Sequence, residues 1–149
     1  ELNLTRVQEF LSPERAFELV AEDMDYVLDC IDSITPKLNL IVGCKKKKVK
    51  IISNMGAGGK MMASKVSVKD ISKTDVCPLA KVVRKRLRKM GVKKGVKAVF
   101  SMEKPDETSV KMTDGSNFKK SFYGTNSYMP ALFGLHAAET VIRDLLKKE

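Results

Sequence analysis

Tryptophan is absent and aromatic residues make up only 6% of the chain, so its core has to be built mostly from aliphatic side chains. No apolar run approaches the roughly 18–20 residues of a membrane-spanning helix, which excludes a spanning segment and any membrane partner of that kind. Three cysteines, at positions 30, 44 and 77, do not describe a secreted disulfide framework, and a reducing cytoplasm is the expected compartment. His136, the single histidine, falls on the expected final helix and is a poor member for a nucleophilic triad, and three scattered cysteines with one histidine do not make a zinc site. No dinucleotide fingerprint and no P-loop occurs. The chain opens on Glu1 without an apolar leader, and it is expected to begin inside a longer protein.

What is present fits one compact domain. The 149 residues are 43% hydrophobic and 31% charged. Folding a chain of this length buries on the order of 68–70% of its unfolded surface. The formal net charge of +10 is unevenly spread: residues 1–44 carry nine acids against three bases, and residues 45–149 carry 25 bases against nine acids. Between Val76 and Met102 there is no acid, while Lys81, Arg84, Lys85, Arg86, Arg88, Lys89, Lys93, Lys94 and Lys97 are all there. A field of one sign over that length attracts polyanions, nucleic acid before anionic membrane, although a merely solvated helix face has the same composition.

Patterning predicts an alternation of strands and helices. Residues 4–10 alternate polar and apolar and read as a strand; Ser12-Pro13-Glu14 then starts a short helix with Ala16, Phe17, Val20 and Ala21 on one face. The run beginning at Tyr26 reads as a strand buried on both faces and ending in Asp29-Cys30-Ile31-Asp32-Ser33. A helix entered at Pro36 closes on residues 45–48, cations suited to a helix C-terminus. Residues 49–53 form the next strand, terminated by Gly56-Ala57-Gly58-Gly59. That rhythm belongs to a doubly wound α/β sheet with right-handed crossovers. Further on come a short strand around Val66 and Val68, and an amphipathic helix from Pro78 with Leu79, Val82, Val83, Leu87 and Met90 at helical spacing. A strand at 96–100, a loop at 104–118 and a long helix at about 129–147 complete the reading. Gly134, Ala137 and Ala138 on that helix suit a close approach to the sheet.

Several residues could carry chemistry. Asp29 and Asp32 sit at the carboxyl end of a parallel strand, where open α/β sheets bind ligands. A carboxylate there can hold Mg²⁺ on nucleotide phosphates, or can simply cap the next helix. The glycines at 56–59 could let a phosphate or substrate approach the backbone, or make a tight turn. Lys37 could reach a phosphate, and Lys60 is a poorer candidate. Cys77, at a helix start, could be a nucleophile; Cys30 and Cys44 read as structural.

Taken together these residues resemble a known family. Asp29-Cys30-Ile31-Asp32-Ser33, with Lys37 five places after the second Asp, resembles the Asp-Cys-x-Asp-Asn/Ser element of the ubiquitin-activating-like adenylating superfamily. Residues 54–60, Val68 to Thr74, Asp75-x-x-Pro78-Leu79-Ala80 and Val99-Phe100-Ser101-x-Glu103 are similar to its tRNA threonylcarbamoyladenosine dehydratase branch. Pro130, Gly134, Ala137, Ala138 and Glu139 are similar to the superfamily's closing helix.

The resemblance implies an α/β, Rossmann-like fold: a mostly parallel sheet with flanking helices and extra antiparallel strands. It implies that residues 1–149 form a single domain, the C-terminal part of an adenylating unit whose N-terminal half carries the rest of the nucleotide site. The implied activity is ATP- and Mg²⁺-dependent dehydration of threonylcarbamoyladenosine in tRNA, by adenylation and then cyclisation. Asp32 would organise metal and triphosphate, with Ser33 and Lys37 also at the nucleotide. Gly56, Gly58 and Gly59 would flank the substrate, and Arg84, Arg86, Arg88 and Lys89 would face tRNA. A homodimer and a sulfur-transfer protein partner are implied as well. The alternatives are adenylation of a ubiquitin-like sulfur carrier, and a nucleic-acid-binding module without catalysis; paired Cys-x-x-Cys ligands, usual in the former, are missing here.

Overall fold

The computed structural model describes residues 1–113 and 121–147. Its centre is a four-stranded sheet made of β1 (Val27–Asp29), β2 (Ile51–Asn54), β3 (Val66–Asp70) and β4 (Lys97–Ser101), in the spatial order β1-β2-β4-β3. β1, β2 and β4 run parallel, and β3 is antiparallel to β4 with Val68 opposite Val99. Four α-helices accompany them: α1 (Pro13–Glu18), α2 (Ile34–Lys46), α3 (Pro78–Lys89) and α4 (Tyr128–Leu146). β5 (Val110–Met112) and β6 (Ser121–Tyr123) form a separate antiparallel pair. The α/β, mostly parallel architecture is the one expected.

Alternation along the central strands builds two cores. Ile51, Ala98 and Phe100 point to one side, where Ala16, Leu38, Ile41, Cys44, Val83 and Leu87 from α1, α2 and α3 pack on them. Ile52 and Val99 point to the other, against Met129, Phe133, Ala137 and Val141 of α4. Successive strand side chains face opposite ways, so the sheet-centre runs Ile51-Ile52 of β2 and Ala98-Val99-Phe100 of β4 are apolar at consecutive positions. Both cores are aliphatic with a few phenylalanines, as the scarcity of aromatics requires.

Four expectations need correction. Residues 1–11 form no strand; Leu2, Leu4, Val7 and Phe10 are exposed, since alternation supplies a surface to bury but no ladder partner. β1 is not covered on both faces, because it lies at the sheet edge and Leu28 stays 45% exposed. The stretch 104–118 is not simply a loop: β5 lies within it, although its part from 114 onward is outside the described residues. Gly134 does not serve close packing, since a Cβ added there meets nothing within 4 Å; Ala137, fully buried, makes that approach.

Candidate functional site

A cavity of about 510 Å³ opens at the carboxyl end of the parallel strands, a volume in the range of small-molecule sites. Two segments leaving the sheet there, and the start of α3, converge on it. From β1 come Cys30, Ile31 and Asp32; from β2 come Asn54, Met55 and the bend carrying Gly56, Gly58 and Lys60; from α3 come Pro78 and Leu79, preceded by Cys77. Tyr123 of β6 with Thr125, and Pro130, Phe133 and Gly134 of α4, close the remaining side. Asp32 is exposed and supplies the one carboxylate among the described lining residues. It therefore shares a single concavity with the glycine bend.

What holds Asp32 there is a buried ion pair between two residues of the motif that runs from Asp29 to Lys37, a pairing not foreseen from the sequence. Asp29 and Lys37 are both fully buried, with Lys37 Nζ 2.6 Å from Asp29 Oδ2. Lys37 Nζ also donates to Ser53 Oγ at 3.2 Å and to the Asn54 carbonyl at 2.9 Å. Asp29 in turn accepts from Ser53 Oγ at 2.5 Å and, through Oδ1, from the Ile31 backbone N–H at 2.9 Å. All three ammonium donors are thus engaged inside the protein, which satisfies two charges that would otherwise be costly to bury. The expectation that Lys37 reaches a phosphate is corrected on this ground. It fastens α2 to the ends of β1 and β2 and so aims the turn that carries Asp32. Ser33 is the N-cap residue of α2 and exposed, its side chain making no capping bond; it does not line the cavity.

The glycine bend is shaped mainly by the protein's own chain. A Cβ on Gly58 would fall 2.6 Å from Tyr123 Cβ, a separation no real structure accepts. Gly59, at φ +68°, donates to the Gly124 carbonyl at 2.8 Å and accepts from the Asp106 N–H at 2.7 Å, and it lies behind the cavity wall. Gly56, by contrast, lines the cavity with only Leu79 near its missing Cβ, at 3.8 Å. The Glu103 carboxylate accepts from the Met61 and Met62 N–H groups, and Asn126 Nδ2 donates to the Lys60 carbonyl, pinning the far end of the bend.

The cysteines divide differently from their expected roles. Cys30 is exposed at the cavity, where Asn54 Nδ2 lies 3.2 Å from its sulfur. It escapes the sheet because β1 ends one residue earlier. Cys44 is buried, and that burial raises its thiol to about 11. Cys77 is 2% exposed at the N-cap of α3, following Val76, a β-branched residue held at φ 61°.

The basic surface lies away from the cavity. Arg86, Arg88 and Lys89 are exposed near the C-terminal end of α3, on the order of 12–16 Å along the helix axis from Pro78. Arg84 stands apart from them: half-buried, it donates to the Thr74 carbonyl at 2.7 Å and to Thr74 Oγ1 at 2.6 Å, and so acts as an internal clamp. No described helix is long and apolar enough to cross a membrane.

Comparison with known proteins places this arrangement. The model of the ThiF family matches residues 1–149. A tRNA threonylcarbamoyladenosine dehydratase from Bacillus subtilis is 35% identical over 154 residues, covering 99% of this chain and 61% of that protein. The Haemophilus influenzae protein of the same name is 32% identical over 159 residues, covering 100% and 61%. The chain thus spans about three fifths of the length of the curated relatives it matches. Among solved structures, the E. coli tRNA N6-threonylcarbamoyladenosine dehydratase in complex with AMP superposes with a TM-score of 0.80 at 31% identity, over 95% of this chain and 56% of that one. The same E. coli protein in complex with ATP gives 0.76 at 29% identity.

Proposed function

The chain belongs to the ThiF family, and on that premise we propose that residues 1–149 are the C-terminal part of an adenylating domain acting on threonylcarbamoyladenosine in tRNA. The observation that carries the reading is the exposed Asp32 carboxylate at the carboxyl edge of the parallel sheet, in one cavity with Gly56 and Gly58. The names of the relatives support the substrate class, and the AMP and ATP complexes of the E. coli protein favour a nucleotide here.

The residues fit ATP with Mg²⁺, whose contribution when bound is to turn a substrate carboxylate oxygen into a leaving group. A single carboxylate suffices for such a metal, because magnesium on nucleotides takes one or two carboxylates and completes its shell with phosphate oxygens and water. In this chain Asp32 would hold the metal-bearing end of the nucleotide. The Asp29–Lys37 pair keeps the turn from drifting. Tyr123, Phe133 and Leu79 exclude water from the concavity, which strengthens every charge interaction inside it. Arg86, Arg88 and Lys89 supply a sequence-independent attraction for tRNA phosphates on a neighbouring surface. A homodimer and a cytoplasmic location belong to the same proposal, as does a sulfur-transfer partner.

The test is ATP-to-AMP turnover by the full-length protein on tRNA bearing threonylcarbamoyladenosine. Asp32→Asn abolishes it while the variant still unfolds in one cooperative transition. Undiminished turnover in that variant refutes the assignment. Loss of a dehydrated adenosine from the tRNA of cells lacking the gene, read by mass spectrometry, identifies the substrate.

A further inference from the structure

Two lysines among the described residues are buried, and only one has a counter-charge. Lys37 is closed off by Asp29, Ser53 and a carbonyl, as described above. Lys60 is 3% exposed, and among the described residues its ammonium has two partners: the Gly56 carbonyl at 2.6 Å and Cys77 Sγ at 3.7 Å. Among the described residues no carboxylate pairs with it. An ammonium carries three donors, and burying one without an anion is among the costlier arrangements in a protein. Lys60 lines the cavity that also contains Asp32.

A second, independent feature lies on the same wall. The N-terminus of α3, a helix of 12 residues, meets the cavity through Cys77, Pro78 and Leu79, has no side-chain cap and has no acid in its first turn. The positive end of its dipole and the Lys60 ammonium therefore reinforce each other, in the cavity that the Asp32 carboxylate also lines. Elsewhere in the protein acids do serve this purpose: Asp70 and Asp106 each accept the N–H of the residue two places on at the start of a 3₁₀ turn. Among the described residues the wall at Lys60 has no such carboxylate.

We propose that Lys60 and the N-terminus of α3 form an oxyanion site that takes the carboxylate of the substrate or the phosphate joined to it, so that the ligand supplies the counter-charge that none of the described residues provides. The identity of the anion rests on the adenylation reading, whereas the need for one rests on the burial of Lys60 alone. Asp32 then serves the cationic side of the reacting group and Lys60 its anionic side, which orients a carboxylate between them.

The experiment is equilibrium dialysis of the full-length protein and its Lys60→Met and Lys60→Arg variants against inorganic pyrophosphate, ATP and the nucleoside N6-threonylcarbamoyladenosine. Thermal melting is run in parallel. Lys60→Met is expected to bind at least one of the three probes tenfold or more weakly while melting no lower than wild type, and Lys60→Arg to recover part of the loss. Weakened pyrophosphate and ATP identify a phosphate as the anion; a weakened nucleoside with ATP unchanged identifies the carboxylate. If Lys60→Met does not fold, Lys60→Gln takes its place under the same criterion. Binding of all three probes within twofold of wild type overturns the proposal, and so does a wild-type protein that binds none. A wild-type protein that binds pyrophosphate through Lys60 but ignores the nucleoside retains the oxyanion site and overturns the dehydratase reading instead.

Discussion

Asp29 and Lys37 meet at 2.6 Å in the interior of the protein, eight residues apart in sequence and on different elements, and the candidate metal-binding Asp32 hangs from the turn between them. Asp29 also holds the Ile31 N–H, so one carboxylate ties the helix, the neighbouring strand and the turn together.

Breaking that pair from one side leaves an unpaired buried charge. Asp29→Asn and Lys37→Met are each expected to cost about 3–5 kcal/mol in urea unfolding, whereas the double variant Asp29→Leu/Lys37→Met is expected to regain much of the loss. Additive costs in the double variant would show that the two charges do not act on each other.

Thiol chemistry reports the cavity without any assay of activity. Cys30 is exposed at its rim and is expected to alkylate first with iodoacetamide at pH 8, with ATP or AMP slowing the reaction. Cys44, buried and raised to about 11, is expected to react only after unfolding. Mass spectrometry of the labelled peptides checks both, and Cys30 labelling indifferent to saturating nucleotide argues against a nucleotide in that cavity.

The basic residues of α3 should separate into two behaviours. Replacing Arg86, Arg88 and Lys89 with Glu is expected to weaken tRNA binding and to flatten its salt dependence, by about 0.7–0.9 in log–log slope for each phosphate no longer neutralised. Arg84→Gln is expected instead to lower stability by about 1–3 kcal/mol through the bonds to Thr74, with the salt slope unchanged. Filter binding at several salt concentrations and urea melts distinguish the two.

Asp144 links stability to pH on the far side of the sheet. A hydrogen bond from Lys97 holds its carboxyl below the usual carboxylate range, helped by one from the Tyr26 hydroxyl at 2.9 Å. Burial, and then Asp144 itself, raise the Tyr26 hydroxyl. A carboxylate depressed by folding stabilises fully above its unfolded pKa of about 3.9 and loses that contribution as pH falls through its folded value. The fall in urea midpoint between pH 7 and pH 3 is therefore expected to be smaller in Asp144→Asn than in wild type, modestly so because Lys97 is partly exposed. An identical fall in both proteins would remove Asp144 from the acid response.

Much of the fold was legible in the residues in order. Pro13 and Pro78 mark helix starts, and the expected boundaries of β3, α3 and α4 lie within a residue or two of those observed. These are local decisions, made by backbone preference and by the period of apolar side chains. Pairing is not local. Residues 4–10 have a strand's alternation yet form no strand, and Val110–Met112 pairs with Ser121–Tyr123 although nothing in its composition announces a ladder.

The site divides along the same line. Sequence alone determined that Asp32 stands at a strand end with glycines following the next strand, because spacing along a strand–helix unit dictates which residues reach the carboxyl edge. Tertiary structure alone decided which lysine is sealed against Asp29 and which is left facing the cavity, that Tyr123 rather than a ligand fills the space at Gly58, and that Arg84 turns inward. A charge's role depends on burial and on partners brought from 8 to 24 positions away, and no short window of residues contains that information.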